Sequence, residues 1–405
     1  MALIVQKYGG SSVADPERIK KVAKRIVATK RRGGKVVVVV SALGDTTDRL
    51  IELAHQIASE PAEREMDVLI STGEQVSVAL LAMAIHSLGA RAISFTGPQV
   101  GIVTDSSHTK ARILRINTNR IREELRKGKI VIVAGFQGVD INENITTLGR
   151  GGSDLTAVAL AAALKANCCE IYTDVAGVYT ADPRIVPRAR KLSNISYDEM
   201  LELASAGAKV LHNRSVEFAK RFDIPIRVRS SFSRGEGTMV TKEHKFMEDV
   251  VVRGVTLNTD EAKVSLRGVP DKPGVAAKIF KTVADENVNI DMIIQNIGKK
   301  GKSDISFTVM KRDLKRTLAI AKKISETMGA ERVDFDENIA RISIVGVGMR
   351  THSGIAARMF GALASKKINI EMISTSEIKI SCIVDKKYGQ KAVRVIHTKF
   401  GLGKG

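Results

Sequence analysis

The residues best suited to chemistry in this 405-residue chain form the segment T-L-G-R-G-G-S-D-L-T, Thr147 to Thr156. Its three glycines lack a Cβ atom, so the backbone can turn tightly and approach a ligand closely. An alanine-rich helical pattern follows, which Ser153 or Asp154 is expected to cap. Free N–H groups at a helix start favour an anion, and the guanidinium of Arg150 is a two-pronged donor for carboxylate or phosphate. The segment therefore predicts an anion-binding site.

Two further loops have the same character. K-Y-G-G-S-S at residues 7–12 follows the apolar run 3–6, and the loop 41–48 follows five consecutive valines at 36–40. Runs of Val and Ile between helical patterns predict parallel strands that are buried on both faces. Ligands of such sheets bind beyond the carboxyl ends of the strands. Because all three loops fall at that edge, we expect them to converge on one site.

The elements that position these loops form an alternating pattern over residues 1–245, which predicts an α/β domain. A helix is expected to open at Asp15-Pro16, with proline in its first turn. The polar stretch 234–238 is expected to end the domain as a flexible segment. The predicted strands are Leu3–Lys7, Val36–Ser41, Arg91–Thr96, Ile130–Gly135, Glu170–Thr173 and Ile226–Arg229.

The rest of the chain contains an internal repeat. V-N-I-D-M-I at 288–293 and I-N-I-E-M-I at 368–373 occupy the same place in two units of the form strand, helix, two strands, helix. The pattern predicts two small α+β modules, at 263–337 and 340–405. The second repeat ends on a helix and lacks a closing strand. We therefore expect the surplus strand at 250–256 to complete the second module.

Composition and charge limit the class of protein. The chain is 44% hydrophobic and 27% charged, which indicates a globular protein of two or three domains. The sequence has no uninterrupted apolar run of membrane length and no signal-peptide layout. Its three cysteines form no disulfide or metal-binding pattern. A cytoplasmic location without membrane contact is therefore expected. A net charge of +20 raises nucleic acid as a partner. Aromatic residues are only 4%, Trp is absent and no nucleic-acid motif occurs, so no nucleic-acid partner is predicted.

Three long motifs make the chain recognisable. With K-Y-G-G-S-S at 7–12, T-L-G-R-G-G-S-D at 147–154 and Y-T-D-V-A-G-V-Y-T-A-D-P-R at 172–184, it closely resembles aspartate kinase over essentially its whole length. The repeat resembles that family's tandem ACT modules. The resemblance implies a three-layer αβα amino-acid kinase domain with a mainly parallel open sheet, followed by two ferredoxin-like ACT modules. It also implies a monofunctional enzyme.

The reaction implied by the resemblance is transfer of the γ-phosphoryl group of Mg-ATP to the side-chain carboxylate of L-aspartate. The product, 4-phospho-L-aspartate, leads to lysine, threonine and methionine. A Walker A loop is excluded, because Gly301-Lys302-Ser303 lacks the upstream glycine and Asn296 stands in its place. No metal-binding residues are predicted in the protein, and Mg²⁺ is expected to arrive with the nucleotide.

The resemblance also assigns site residues. Lys7 would neutralise charge on the transferred phosphoryl group, and Asp154 would orient Lys7. Arg150 would bind the substrate α-carboxylate and Glu74 its ammonium group. The substrate-binding set is Thr47, Glu74, Arg150, Gly151, Gly152 and Ser153. The nucleotide-binding set is Lys7, Tyr8, Gly9, Gly10, Ser41, Thr173, Asp174, Tyr179, Asp182, Arg184 and Lys209.

Structural alternatives stay open for several of these residues. Glu74 could complement a helix dipole, Thr47 could cap a helix, and Asp182-Pro183-Arg184 could be a type I turn. Two rival functions also stay open. One is another amino-acid kinase of the same fold, and the other is an inactive amino-acid-sensing relative.

Feedback control is the last expectation. The resemblance implies inhibition by lysine, threonine or both, and a homo-oligomer formed through the ACT modules. A shorter regulatory chain starting at Met247 is left open. The expected effector-binding residues are Asp271, Gly274, Ala276, Gln295, Asn296, Asn369 and Ile370. The alternative is that the polar residues Asp271, Gln295 and Asn296 only cap a helix and close a turn.

Overall fold

A computed structural model describes residues 2–208, 210–242, 251–297 and 301–403. The described residues fall into two compact units. Of the described residues, those within 1–178, 191–204 and 209–245 form the first unit, and those within 179–190, 205–208 and 246–405 form the second. The division therefore does not follow one boundary at residue 245, because two short segments that precede it, 179–190 and 205–208, belong to the second unit.

The first unit alternates strands and helices. Its strands are β1 (Leu3–Tyr8), β2 (Lys35–Val40), β3 (Ala92–Phe95), β4 (Ile102–Thr104), β5 (Ile113–Ile116), β6 (Ile130–Ala134), β7 (Gln137–Val139), β8 (Ile145–Thr147), β9 (Cys168–Thr173), β10 (Asn194–Ser196), β11 (Ile226–Ser230) and β12 (Thr238–Thr241). The helices numbered with it are α1 (Pro16–Arg31), α2 (Thr46–Ile57), α3 (Glu63–Ile70), α4 (Thr72–His86), α5 (Asn119–Arg126), α6 (Gly152–Leu164), α7 (Tyr197–Ser205) and α8 (Asn213–Phe222).

The main sheet has eight strands in the order β10-β12-β11-β9-β1-β2-β6-β3. All six predicted strands are confirmed in it, and each pairs in parallel with its neighbours among the six. The five valines of β2 are fully buried, as expected for a strand covered on both faces. The prediction that residues 234–238 form a flexible segment was wrong for Thr238. This residue is the first of β12, which pairs antiparallel with β11.

Helices cover both faces of the main sheet. On one face, α1 and α4 pack against alternate residues of β1, β2 and β6, including Tyr8 and Val38. The remaining residues of β1 face α6, where Lys7 meets Asp154. Helix α1 opens as predicted, with Asp15 accepting a hydrogen bond from the Arg18 N–H at 2.8 Å. These layers hold the loops at one edge of the sheet.

A second sheet of four short strands was not predicted. Its order is β5-β4-β7-β8, and β8 leads directly into the glycine-rich segment. Thr104 and Thr146 join β4 and β8 through a buried hydroxyl–hydroxyl hydrogen bond of 2.6 Å. This sheet therefore supports the segment that begins at Thr147.

One helical segment, Glu63–His86, is long and apolar enough to cross a membrane by length and composition. Half of its most apolar window is buried inside the protein. Leu81 and Ile85 belong to the core beneath the main sheet. The core helix of a folded domain meets the same criteria, so packing alone accounts for the apolar character of this segment.

The second unit contains two four-stranded sheets, ordered β15-β16-β14-β17 and β13-β18-β20-β19. Their strands are β13 (Gly254–Asn258), β14 (Glu261–Pro270), β15 (Ile290–Ile297), β16 (Lys302–Met310), β17 (Arg332–Asp336), β18 (Ile339–Val345), β19 (Met372–Thr375) and β20 (Lys379–Asp385). The helices are α9 (Val275–Asp285), α10 (Leu314–Met328), α11 (Ile355–Ala364) and α12 (Gly389–Lys399).

Strand β13 lies in the sheet of the second repeat. It pairs antiparallel with β18, so that Gly254 faces Val345 and Asn258 faces Arg341. The strand thus precedes the first repeat in sequence and completes the second in space. Its expected first residue, Val250, lies outside the described residues, as does Met247.

The two repeats meet through a buried charged group. The Arg341 guanidinium on β18 is 1% exposed and pairs with Glu261 at 2.7 Å and also with Asp291, both on the first repeat. Met292 and Met372, at matching places in the two repeats, share one apolar cluster. The repeats therefore pack against each other within the second unit.

Candidate active site

A cavity of about 450 Å³ opens at the carboxyl ends of β1 and β2, where the three loops were expected to meet. The loops do converge, because each contributes to its lining. The lining residues are Lys7, Ser41, Thr47, Asp48, Ile51, Met66, Ile70, Glu74, Thr109, Phe136, Gly149, Arg150, Gly151, Gly152, Ser153 and Asp154. The cavity therefore brings together every predicted substrate-binding residue.

The Lys7 ammonium lies at the centre of this arrangement. It approaches Asp154 Oδ1 at 2.6 Å, and both side chains are nearly buried, 12% and 13% exposed. An ammonium has three N–H donors, and Asp154 is the one carboxylate partner of Lys7 within 4 Å among the described residues. The ammonium therefore keeps N–H donors for an anion in the cavity, while Asp154 fixes its position.

The glycine-rich segment enters α6 in a way that the sequence did not predict. Gly151 is the N-cap with φ of 75°, and no side chain caps the helix. The prediction that Ser153 or Asp154 caps it was wrong, because both lie inside the first turn. The left-handed glycine starts the helix early, which leaves the Asp154 carboxylate available for Lys7 and the first N–H groups near the cavity.

Gly151 is also fixed by close packing. A Cβ atom at this position would lie 2.5 Å from the Cβ and Cγ atoms of His212. Burial lowers the pKa of that imidazole below its usual range, with Asp154 opposing the shift. The ring therefore acts as a mainly neutral wall against which the loop rests.

Glu74 contributes a buried carboxyl group to the cavity. It lies in the first turn of α4, is only 2% exposed, and accepts a hydrogen bond from the Ala42 N–H at 3.1 Å. Its Oε2 atom has no hydrogen-bond partner among the described residues. Burial raises the pKa of Glu74 to about 7. Its place in the first turn fits the dipole alternative, and the Oε2 atom without a partner among the described residues fits a role toward a cationic ligand.

Sequence reasoning missed Asp67, which organises two walls of the cavity. This carboxylate on α3 is fully buried. It accepts hydrogen bonds from the Thr109 N–H at 3.0 Å, from His108 Nδ1 at 2.7 Å and from the Thr147 hydroxyl. Asp67 thus ties the loop at 108–109 to the start of the glycine-rich segment. Nothing in the sequence marks it, because α3 also carries the charged residues Glu63, Arg64 and Glu65.

Arg214 was also missed. Its guanidinium donates to the Leu148 carbonyl at 2.6 Å and to the Ala111 carbonyl at 2.9 Å. Both acceptors are backbone groups next to the cavity loops, so this side chain holds the loops together from the side of α8. Nothing in the sequence distinguishes it from the other arginines.

Two predicted substrate-binding residues lie at the mouth of the cavity. Arg150 is exposed, as a residue that captures a carboxylate from solvent would be. Thr47 lies in the first turn of α2, whose N-cap is Asp45. The capping alternative for Thr47 is therefore not observed, and its hydroxyl is free to face a ligand.

The predicted nucleotide-binding residues are only partly brought together. Tyr8 is fully buried and stacks on Tyr172 with ring centroids 4.7 Å apart, so its side chain is a core residue and only its backbone could serve a ligand. Gly10 is packed tightly, because a Cβ atom there would lie 2.8 Å from the Gly44 carbonyl. The Thr173 hydroxyl donates to Asp174 at the end of β9.

Tyr179, Asp182 and Arg184 belong to the second unit, and Lys209 lies outside the described residues. The Ile185 N–H donates to the Asp182 carbonyl at 2.9 Å, so the predicted turn is present. Arg184 pairs with Asp182 at 2.7 Å and lowers the pKa of that carboxyl.

Comparison with known proteins is decisive for the family. The profile of the Amino acid kinase family matches residues 2–230, and the ACT domain profile matches 264–324 and 342–400. The aspartokinase of Pseudomonas aeruginosa is 55% identical over 404 residues, which cover 99% of this chain and 98% of the relative. The chain belongs to the aspartate kinase family.

Further relatives agree. The aspartokinase of Helicobacter pylori is 52% identical over 404 residues, which cover 99% of both chains. E. coli aspartokinase III in complex with aspartate and ADP, in the R-state, matches with a TM-score of 0.83 at 26% identity, covering 98% of this chain and 99% of that one. The same enzyme with lysine and aspartate, in the T-state, matches with a TM-score of 0.77 at 26% identity and the same coverage.

The predicted effector-binding residues divide between the two ACT matches. Asp271, Gln295 and Asn296 lie at one end of the first sheet, because the end of β14 and the end of β15 both pair with the start of β16. Gly274 and Ala276 lie at the start of α9 beside them. Asn369 and Ile370 precede β19 in the second repeat, and Ile370 packs on that repeat's core.

Proposed function

We propose that this chain transfers the γ-phosphoryl group of ATP to the side-chain carboxylate of L-aspartate. The proposal rests on one observation, which is that the Lys7 ammonium, the Arg150 guanidinium and the Glu74 carboxyl group line a single cavity. The Arg150 guanidinium suits the α-carboxylate of an amino acid, and the Glu74 carboxyl group suits its ammonium. The Lys7 ammonium suits a phosphoryl group. The E. coli relative solved with aspartate and ADP supports the same pair of ligands.

The chemistry needs little from a general base. The aspartate carboxylate is already ionised at neutral pH and attacks the γ-phosphorus, while the bond to the β–γ bridging oxygen breaks and ADP leaves. The product is a mixed anhydride of a carboxylic and a phosphoric acid. Lys7, held by Asp154, offsets the negative charge that gathers where two anions meet. Loop N–H groups and Arg150 hold the acceptor in line.

Magnesium is proposed to enter as the ATP complex. No group of three His, Cys, Asp or Glu side chains able to hold a metal occurs within the described ranges. Phosphate oxygens and water are the usual ligands of Mg²⁺ in kinase sites, with one or two carboxylates.

The direct test is an acceptor assay on the purified chain. ADP release and hydroxylamine trapping of the acyl phosphate would be measured with aspartate, glutamate and carbamate. We expect hydroxamate from aspartate only. Hydroxamate from glutamate, or ADP release that needs carbamate, would assign the chain to another amino-acid kinase activity. No transfer to any acceptor would favour the inactive sensing alternative. Lys35→Ala is the matched control for loss of a lysine at Lys7. Lys35 pairs with Leu3, at the end of the strands opposite to Lys7, so this variant should keep activity.

Regulation and assembly are proposed on the same basis. The E. coli relative solved with lysine supports lysine as a candidate inhibitor here, and threonine is a candidate from the family resemblance alone. We propose residues 1–245 as the catalytic region and 263–337 and 340–405, completed by β13, as the regulatory modules. Exposed Ile293 and Ile297 on the edge strand β15 and Ile373 on β19 fit pairing of modules in a homo-oligomer.

A further inference from the structure

One face of α1 carries a row of cations that the proposed reaction does not use. Arg18, Lys21 and Arg25 recur at spacings of three and four residues, which places them on the same side of the helix, and Arg32, the C-cap residue, continues the row seven residues after Arg25. At 1.5 Å per residue this row is about 21 Å long. A row of this kind on one helix would ordinarily be a solvated face.

Here the row faces a second basic wall. Arg229 near the end of β11 and Arg234 in the following loop line the same space, together with Lys24 of α1. The space consists of two adjoining cavities of about 440 and 550 Å³, which share Lys21, Arg25, Ser233 and Arg234. We call this the basic groove, defined by Arg18, Lys21, Lys24, Arg25, Arg32, Arg229 and Arg234. Its described lining contains seven cations and no carboxylate.

Three of the arginines are held in place by the protein. Arg25 donates to the Ser230 carbonyl at 2.9 Å and to the Ser233 carbonyl at 3.2 Å. Arg18 donates to the Ser11 carbonyl at 2.7 Å. Arg229 donates to the Gly235 carbonyl at 3.0 Å. Carbonyl partners fix these guanidinium groups without neutralising them, so little rotamer entropy remains to be lost on binding.

Carboxylates balance only part of the charge. Glu170 pairs with Arg229 at 3.0 Å, and Asp15 pairs with Arg18. In contrast, the side chains of Lys21, Lys24, Arg32 and Arg234 form no hydrogen bond or close ion pair with a described residue, and the Glu17 carboxylate interacts with Lys21 only at longer range. Like charges lining one recess repel each other, and a bound anion would relieve this repulsion.

The rim adds groups suited to a phosphorylated ligand. Ser233 supplies a hydroxyl donor, whereas the Ser231 hydroxyl is hydrogen-bonded to that of Ser12 at 2.5 Å. Phe232 is 53% exposed beside Arg18, whose guanidinium lies 5.3 Å from its ring centroid. Each cavity has the volume of a typical small-molecule site. The groove shares no lining residue with the cavity that contains Lys7.

We propose that the basic groove binds a small polyphosphorylated anion at a site separate from the phosphotransfer cavity. Arginine forks pair with phosphate oxygens in two-pronged fashion, and the lysines add charge. The recessed, two-walled shape favours a compact ligand over a nucleic-acid strand. Inorganic polyphosphate and a nucleoside polyphosphate share this chemistry. Only the nucleoside polyphosphate has a base that could contact Phe232.

The test is calorimetric titration of the full chain with inorganic tripolyphosphate, in the presence of saturating ADP and aspartate that occupy the other cavity. Saturable binding is expected. Lys21→Gln/Lys24→Gln should weaken it about tenfold, as expected for loss of charged hydrogen bonds. Lys20→Gln/Lys30→Gln removes the same charge from the same helix outside the groove and should change it little. No saturable binding, or equal weakening in both variants, would overturn the proposal.

A second arm separates the two sources. Guanosine 5′-diphosphate is titrated under the same conditions against wild type and Phe232→Ala. Weaker binding of the nucleotide but not of tripolyphosphate in the variant would assign a nucleoside ligand. Unchanged binding of both would assign the phosphate chain alone. Binding of a single-stranded oligonucleotide without binding of tripolyphosphate would contradict the small-anion assignment.

Discussion

Lys7 and Asp154 form an ion pair of 2.6 Å between the end of β1 and the first turn of α6. The pair joins the first strand of the chain to a helix that begins about 150 residues later. Both side chains are nearly buried, so solvent screens the interaction only weakly. The ion pair holds the Lys7 ammonium between the loop 7–12 and the segment Thr147–Thr156, the two loops that are richest in glycine.

Lys7→Ala should abolish phosphotransfer without unfolding the protein. Removing a preorganised charge that faces a developing negative charge typically costs a factor of about 100 or more in kcat. Asp154→Asn should cost less, because Lys7 keeps its charge and loses only its anchor. Steady-state kinetics and circular dichroism of both variants check these expectations. Turnover near wild type in Lys7→Ala would remove Lys7 from the reaction.

Arg150→Lys should impair the use of aspartate and largely spare ATP. Lysine keeps the charge at the exposed mouth of the cavity but cannot make the two-pronged contact that a carboxylate accepts. We expect a raised KM for aspartate with a KM for ATP within about twofold of wild type, since a lost charged hydrogen bond costs roughly 1.5–3 kcal/mol. If the KM for ATP rises instead, Arg150 serves the phosphates.

The pKa of Glu74 gives the enzyme a pH signature. Burial raises that pKa from 4.5 to about 7, so the group is neutral below pH 7 and a carboxylate above it. Only the carboxylate attracts a substrate ammonium. The kcat/KM for aspartate should therefore rise as pH increases through about 7, because this parameter reports the free enzyme. In Glu74→Gln the rise should vanish and kcat/KM should be low throughout. A rise that persists in the variant would assign it to another group.

Six of the eight strands of the main sheet could be predicted from the sequence because their signals are local, whereas β10 and β12, which have three and four residues, were missed. Runs such as Val36–Val40 are buried on both faces, and composition alone reveals such strands. The second sheet could not be predicted in this way, since β4, β7 and β8 have three residues each. Strands this short show no period.

The cavity could be predicted in outline but not in its supports. Lys7, Glu74 and Arg150 lie in sequence motifs whose residue types indicate binding or catalysis. Asp67 does not, because its partners Thr109 and Thr147 are 42 and 80 residues away and only the fold brings them together. The helix cap was mispredicted for a related reason, since composition does not reveal that Gly151 takes the left-handed conformation.

Gly151→Ala tests whether that conformation matters. Alanine would be strained at φ of 75°, and its Cβ atom would lie 2.5 Å from His212. The loop must shift, and displacing a substrate loop by about 1 Å can cost a hundredfold in rate. Gly89→Ala is the matched control, because φ there is 73° but nothing lies within 4 Å of the added atom. It should lose about 1 kcal/mol of stability and keep its kcat/KM. Equal losses of activity in the two variants would show that packing on His212 is unimportant.

Asp271→Ala tests the proposed effector site. Asp271 is exposed at the end of β14, its N–H donates to the Gly301 carbonyl at 2.8 Å, and its carboxylate lies at the same sheet end as Gln295 and Asn296. An inhibitor changes activity only by binding one state better than another, so loss of a ligand to its ammonium group should weaken inhibition and leave uninhibited turnover unchanged. A charged hydrogen bond contributes roughly 1.5–3 kcal/mol, which corresponds to an increase of about tenfold or more in the inhibitory concentration.

The measurement is a titration of activity with lysine, with threonine and with both together. Asp285→Ala is the matched control, because Asp285 is also exposed on the first repeat but lies at the far end of α9 and pairs only with Lys281 among the described residues. Its inhibition curve should match wild type. If Asp271→Ala shows unchanged inhibition by whichever amino acid inhibits the wild type, the carboxylate only shapes the turn before α9, and the effector site must be sought elsewhere on the modules.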